Sequence, residues 1–124
     1  MTDTILIAVA DLIFRAKISE TARQVGRASV TAATPQAVLE RAASHGPALV
    51  VVDLGDERLD PFETIRSLKA APETREARVV GFFSHVRTDL RDRAREAGCD
   101  VVLPRSAFVA RLARLLESLG AEGA

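Results

Sequence analysis

Apolar and polar positions divide the chain into two alternating kinds of segment. Short apolar runs rich in Val, Ile and Leu predict five strands, and the stretches that follow them, with apolar residues at helical spacing, predict five helices. The predicted strands cover residues 4–9, 28–33, 49–52, 78–83 and 101–103. Because the central runs show no polar alternation, helices should cover both faces of the sheet. The pattern predicts an α/β fold, a three-layer α/β/α sandwich around a parallel sheet.

Capping signals mark the ends of the first three predicted helices. The first begins near residue 11 and ends at Gly26, and its apolar positions are Leu12, Ile13, Ala16, Ala22 and Val25. Thr34 before a proline predicts the N-terminus of the second helix, which runs to about Ser44. Asp60, followed by Pro61 and then by Glu63, is typical of a capping box at the start of the third helix.

The last two predicted helices differ in polarity: the first is highly charged, and the second has an apolar side. Residues 88–97 form a charged helix closed by Gly98, and Ser106 is expected to cap the final helix. One side of that final helix is apolar: Phe108 or Val109, Leu112, Leu115, Leu116 and Leu119.

Length and composition indicate a single domain spanning residues 1–124, with its core at about 4–119, and Met1 suggests a natural start. A lone cysteine, Cys99, is expected to be a small buried residue in a reducing cytoplasm. Seventeen basic and seventeen acidic residues cancel, so no overall charge recruits nucleic acid or a membrane surface. The apolar runs are too short to span a bilayer, and no signal segment starts the chain.

Asp53 is the best candidate functional residue. It directly follows the apolar run 49–52, which reads as a strand buried on both faces. Open parallel sheets place their ligand sites at the carboxyl ends of their strands. The position of Asp53 therefore predicts a site at that edge.

Several segments together resemble the CheY-like receiver domain of response regulators: ILIAVAD, VVVDLGDERLDP, FFSH and AGCDVVLPRSAF. The resemblance implies a flavodoxin-like sheet in the order 2-1-3-4-5. It also implies that Asp53 takes the place of the phospho-accepting aspartate. Arg105 takes the place of the family's lysine, and Ser84 that of the Thr or Ser ending strand four.

The chain departs from the family at the metal site. Val9 and Ala10 stand where receivers carry an acidic pair, and Asp11 comes one residue later. The remaining candidate ligands for Mg²⁺ are Asp11, Asp53 and the backbone carbonyl near Gly55, with Asp56 or Glu57 as a further oxygen donor from the loop. No cofactor is firmly implied, and Mg²⁺ is expected only if the chain is phosphorylated.

The switch residues depart from the family as well. Arg105 keeps the positive charge of the lysine but not its geometry, and Val102 replaces an aromatic residue. The sequence therefore resembles an atypical receiver.

Each candidate residue also has a structural interpretation. Asp53 could be a loop carboxylate without phosphorylation, and Asp11 and Asp60 could be helix caps. Arg105 could bind an anion, pair with Asp53 or point into solvent. His45 and His85 have no second ligand at metal-binding spacing, so a metal site there is not expected.

Arginines dominate the predicted helix 4, strand 5 and helix 5 region, with seven arginines against five acidic residues between positions 87 and 119. Receivers use this face for partner contacts, so the candidate interaction face comprises Arg87, Arg91, Arg95, Arg105, Arg111 and Arg114. The expected partner is a protein, with a histidine kinase or a second copy of the chain as candidates. Nucleic acid is not favoured because aromatic residues for base stacking are scarce there.

Three functional hypotheses follow. The preferred one is a non-enzymatic interaction module, an atypical receiver with weak or no Mg²⁺-dependent phosphorylation. The alternative is a working receiver phosphorylated at Asp53 by a histidine kinase. An independent enzyme is poorly supported, because the sequence has no phosphate-binding glycine motif and no nucleophile elbow.

Overall fold

Five parallel strands form one sheet in the order β2-β1-β3-β4-β5, as predicted. This is a computed structural model, and it describes residues 2–84 and 88–121. The strands are β1 Ile5–Ala8, β2 Ser29–Ala32, β3 Leu49–Asp53, β4 Arg78–Phe83 and β5 Val101–Pro104. The predicted bounds of β4 are confirmed, while β3 and β5 each continue one residue beyond their apolar run, through Asp53 and Pro104.

Helices cover both faces of the sheet, which confirms the predicted three-layer sandwich. They are α1 Leu12–Gln24, α2 Pro35–His45, α3 Pro61–Ala70, α4 Thr88–Ala97, α5 Arg105–Ala110 and α6 Leu112–Glu117, with a short 3₁₀ helix at Glu57–Leu59 before α3. Side chains of α1, α5 and α6 pack on one face, and those of α2, α3 and α4 pack on the other. The single final helix of the sequence prediction is divided at Arg111, whose backbone leaves helical geometry.

The predicted inner face of α1 is wrong at its first turns. Three positions expected to face the core are exposed instead: Leu12 (66%), Ile13 (86%) and Ala16. The buried side chains are Phe14, Ile18 and Ala22, which follow helical spacing from the aromatic residue. Phe14 decides the orientation because its ring packs edge-on against Phe82 of β4 at 5.2 Å between centroids.

Of the caps predicted at Thr34, Asp60 and Ser106, the first is confirmed, the second is right in position alone and the third is wrong. Thr34 Oγ1 accepts a hydrogen bond from the Ala37 N–H at 3.1 Å, as an N-cap does. Asp60 precedes α3, but its side chain makes no capping bond because its backbone is left-handed (φ 42°) and closes the 3₁₀ turn. Ser106 is not a cap either, since α5 begins one residue earlier and directly follows β5.

The core contains apolar side chains from all five strands, and Cys99 lies at its edge. The thiol is buried, as predicted, and burial raises its pKa to about 12. The inner positions predicted for the last helix are confirmed at Phe108, Leu112, Leu115 and Leu116, whereas Leu119 is half-buried. Val109, the alternative to Phe108, is exposed. Within residues 2–84 and 88–121, no helix is both long enough and apolar enough to cross a bilayer.

Candidate functional site

The candidate residues lie at the carboxyl edge of the sheet. Asp53 ends β3, and Asp11 follows the end of β1 after Val9 and Ala10. Ser84 comes directly after β4 and is exposed, while Arg105 comes directly after β5. Because the strands are parallel and in register, this edge brings together side chains that are far apart in sequence.

Asp53 is a half-buried carboxyl at the centre of this edge. Its Oδ1 accepts a hydrogen bond from the Gly55 N–H at 3.0 Å. Burial raises the pKa of Asp53, because the charged form loses solvation, and the negative charges of Asp56 and Asp11 raise it further. The Gly55 hydrogen bond and the positive charge of Arg105 act in the opposite direction. The site therefore holds a carboxylate whose negative charge is only partly compensated.

Asp11 is the N-cap of α1. Its Oδ1 accepts a hydrogen bond from the Phe14 N–H at 3.1 Å, and the residue is exposed. This confirms the interpretation of Asp11 as a helix cap. One of its two carboxylate oxygens is consequently engaged by the backbone.

Asp56 is held by Arg58, a contact that the sequence analysis missed. The Arg58 guanidinium forms two hydrogen bonds to the Asp56 carboxylate, from Nε at 3.0 Å and from Nη2 at 2.9 Å. The Arg58 backbone N–H donates a third, at 3.0 Å. Both kinds of bond from Arg58 lower the pKa of Asp56. The only sequence signal is the close D-x-R spacing in this loop.

The Arg105 guanidinium lies over an aromatic ring. Its central carbon is 3.9 Å from the centroid of Phe14, a cation–π contact. Phe14 in turn packs against Phe108 and Phe82, whose rings stack at 4.6 Å. Among the described residues, no ion pair joins Arg105 to Asp53. Of the three positions considered for Arg105, none anticipated this stacking.

Solved structures share this arrangement of strands and helices. The chemotaxis response regulator CheY4 of Vibrio cholerae matches with a TM-score of 0.83 at 14% identity, over 96% of this chain and 99% of that one. The signal receiver domain of a DNA-binding response regulator from Colwellia psychrerythraea 34H gives 0.84 at 18% identity, over 95% and 98%. The receiver domain of NtrX from Brucella abortus gives 0.79 at 19% identity, over 95% and 98%.

The chain has the fold of the CheY-like receiver domains. No protein-family model matches the sequence, and no curated protein matches it at a significant level. At these sequence identities the structural likeness shows the fold alone. The function must therefore be argued from the residues that this receiver fold presents.

The carboxylates of this receiver fold do not form a metal centre as they stand. In residues 2–84 and 88–121, no group of three or more His, Cys, Asp or Glu side chains could hold a metal ion. Mg²⁺ needs near-octahedral oxygen ligands. One Asp11 oxygen caps α1, and both Asp56 oxygens bind Arg58. The described residues thus do not fit a magnesium site in this arrangement.

The arginines of the candidate interaction face lie on two helical elements of the receiver fold. Arg91 and Arg95 are exposed one turn apart on α4, and Arg111 and Arg114 are exposed on the other side of β5. Arg105 is half-buried, with its guanidinium on Phe14. Arg87, like His85, lies outside the described residues. The exposed arginines therefore flank β5, which is an edge strand.

Proposed function

We propose that the chain is a receiver-type signalling module that acts by binding a protein partner, with Mg²⁺-dependent phosphorylation weak or absent. The observation that carries this proposal is the engagement of the acidic loops by the chain itself. Arg58 binds the Asp56 carboxylate through two side-chain hydrogen bonds, and Asp11 caps α1. The proposed module is not an enzyme, and its proposed location is the cytoplasm.

Weak phosphorylation follows from the charge arrangement around Asp53. Phosphoryl transfer depends almost wholly on positioning and on neutralising the charge of the transferred group. Here Asp53 already lies in the field of Asp11 and Asp56, and their negative charges oppose a further anion. The charge of Arg105 offsets part of this field, but its guanidinium lies over Phe14 and, among the described residues, forms no ion pair with Asp53. A phosphoryl group on Asp53 would therefore need either a metal ion or a movement of Arg105.

The arginines that flank β5 support the proposed docking. Arg91 and Arg95 are exposed on α4, and Arg111 is exposed between α5 and α6. Between positions 87 and 119 seven arginines outnumber five acidic residues, and an excess of one sign of charge steers association with a partner of opposite charge and sets its salt dependence. The proposed partner is an acidic protein surface, either on a histidine kinase or on a second copy of the chain.

One observation favours the alternative, a phospho-accepting receiver. Asp53 ends β3, in the middle of the sheet, with its Oδ1 fixed by the Gly55 N–H and the charge of Arg105 within reach of the carboxyl. This placement suits nucleophilic attack on a phosphorus atom. Under this alternative, Asp53 and Asp11 would hold the Mg²⁺, and a histidine kinase would be the phosphoryl donor.

An amide NMR titration separates the two functions. Mg²⁺ is added first, and beryllofluoride, a stable mimic of an aspartyl-phosphate, second. The proposal predicts no site-specific shifts at Asp53, Ser84 or Arg105 at millimolar Mg²⁺ with beryllofluoride. Large shifts that require both additions, and that disappear in Asp53→Asn, would instead establish the phospho-acceptor.

The variant Arg58→Ala directly tests the effect of the Arg58–Asp56 contact on metal binding. It removes the guanidinium from both Asp56 oxygens and leaves only the backbone N–H of residue 58 on Oδ1. If Arg58 keeps the acidic edge closed to metal, the variant should gain Mg²⁺-dependent shifts that the natural chain lacks. Arg66→Ala is the matched control, because Arg66 is an exposed arginine paired with Glu63 on α3. Equal behaviour of the two variants would contradict the proposed role of Arg58.

A further inference from the structure

A cleft separate from the Asp53 carboxyl lies between the 3₁₀ turn with α3 and the helix α4. Its volume is about 190 Å³. Four buried apolar side chains line its inner surface: Leu54, Pro61, Phe62 and Leu90. The exposed residues Glu57, Asp60 and Arg93 surround its opening. The cleft thus combines an apolar interior with a charged rim.

The two acidic residues of the rim outnumber its one positive charge, that of Arg93. Neither Glu57 nor Asp60 forms an ion pair with any residue in 2–84 or 88–121. Other loop and helix acids do: Asp56 is paired with Arg58 and Glu63 with Arg66. The left-handed backbone of Asp60 closes the 3₁₀ turn that begins at Glu57. Both acidic residues therefore belong to a single turn that borders the cleft.

The cleft already shows how a guanidinium fits its aromatic wall. The Arg93 guanidinium carbon lies 4.1 Å from the centroid of the Phe62 ring. Cations are attracted to the faces of aromatic rings, and the aliphatic stems of Lys and Arg pack along apolar surfaces. The cleft thus already accepts one guanidinium on its aromatic wall, and Glu57 and Asp60 supply two negative charges against that single positive one.

The size of the cleft restricts its occupant. Pockets that enclose drug-sized ligands measure roughly 300–1,000 Å³, which is more than this cleft offers. A single side chain is the appropriate size, and anchoring side chains at protein interfaces are commonly arginines seated in pockets. We propose that the cleft binds an arginine or lysine side chain presented by a partner protein.

This proposal is independent of phosphorylation and concerns a different surface from the arginines that flank β5. Those arginines suit an acidic surface, whereas the cleft suits a basic anchor. The stem of the anchor would lie on Leu54, Phe62 and Leu90, and its charge would lie between Glu57 and Asp60. An experiment with a small basic probe does not involve those arginines, so its failure would not bear on the proposed docking face.

The test uses N-acetylarginine amide as the probe, with ¹⁵N NMR of the full chain at low salt. N-acetylnorleucine amide is the matched probe, because it keeps an apolar stem and lacks the charge. The arginine probe should shift the amides of Gly55, Phe62 and Leu90 in a saturable way. The norleucine probe should bind at least about fivefold more weakly. Raising the salt concentration should weaken the binding of the arginine probe.

The double variant Glu57→Gln/Asp60→Asn removes both rim charges and keeps the shape. Asparagine tolerates the left-handed backbone at position 60, so folding should be preserved. Binding of the arginine probe should weaken about fivefold. The control Glu73→Gln/Glu96→Gln makes the same charge change at exposed positions outside the cleft, and it should leave binding within about twofold.

Three outcomes would overturn the proposal. Equal binding of the two probes would mean that the rim charges do not select a cation. Equal weakening by both double variants would mean that overall charge, not the cleft, attracts the probe. Shifts at Gly55, Phe62 and Leu90 that grow with protein concentration in the absence of probe would assign the cleft to a second copy of the chain.

Discussion

Replacing Asp53 by asparagine should stabilise the protein at neutral pH. Burial raises the pKa of the Asp53 carboxyl because its charged form loses solvation, and the charges of Asp56 and Asp11 add to this effect. The Gly55 hydrogen bond and Arg105 oppose only part of it. An asparagine Oδ1 can still accept the Gly55 N–H, which is 3.0 Å from Asp53 Oδ1. The substitution thus removes an unfavourable charge and keeps the local geometry.

The direction of this pKa change fixes the pH dependence. The pKa of Asp53 is higher in the folded chain than in the unfolded chain, in which an aspartate has a pKa of about 3.9. As the pH rises from that value through the raised folded pKa, the natural chain loses stability relative to the variant. The gain from Asp53→Asn should be full at neutral pH, shrink on acidification and vanish below about pH 4.

The expected gain is modest because Asp53 is only partly buried. Substitutions that remove an unfavourable charge commonly add about 0.5–2 kcal/mol, and we expect about 1 kcal/mol here. For 124 residues this corresponds to roughly 3–6 °C in Tm. Urea denaturation at about pH 7 and about pH 4 measures the difference. Asp92→Asn, at an exposed position of α4, is the matched control and should change stability by less than about 0.5 kcal/mol.

Two results would refute this reasoning. A variant less stable than the natural chain at neutral pH would mean that the Asp53 carboxylate is net favourable, through its attraction to Arg105. A gain that is the same at both pH values would mean that it does not arise from the ionisation of Asp53.

Three further predictions concern the packing around the site, with urea denaturation as the common measurement. Thr34→Ala removes the N-cap of α2 and should cost about 1 kcal/mol. Ser106→Ala removes no cap and should cost less than about 0.5 kcal/mol. Equal costs would contradict the assignment of Thr34, and not Ser106, as a cap. Gly81→Ala places a Cβ 2.7 Å from Leu54 Cδ1 and should cost about 1–3 kcal/mol; a neutral effect would contradict this close contact. Phe108→Ala empties a fully buried position and should cost about 3–5 kcal/mol, and a loss below about 1 kcal/mol would contradict its place in the core.

The strand pattern was sufficient to predict a parallel sheet of five strands, because most of them are compact apolar runs, whereas the order of the strands came from the resemblance to receivers. The face of α1 was not predictable in the same way. Apolar residues occur on several sides of this helix, at Leu12, Ile13, Phe14 and Ile18 among others. The contact of Phe14 with Phe82 selects the buried side, and no local pattern contains that contact.

In the candidate site, too, the positions that follow from the strands were predicted and the contacts that depend on loops or on packing were not. The positions of Asp11, Asp53 and Arg105 at one edge follow from the parallel strands, which the pattern predicts, and from their order, which the resemblance to receivers implies. The Asp56–Arg58 pair was missed because it depends on the conformation of a loop without periodicity. The stacking of Arg105 was missed because it requires Phe14, a residue not assigned to the core face.

The helix α4 connects the two proposed binding surfaces, and this arrangement restricts the choice of partner. Arg91 and Arg95 are exposed on one side of it, while Leu90 and Arg93 line the cleft, whose rim carries Glu57. A uniformly acidic partner would be attracted by the arginines and repelled by the rim. A uniformly basic partner would be repelled by the arginines and attracted by the rim. Only a partner that alternates acidic surface with a basic anchor satisfies both, so opposite charges on neighbouring surfaces select register as well as affinity.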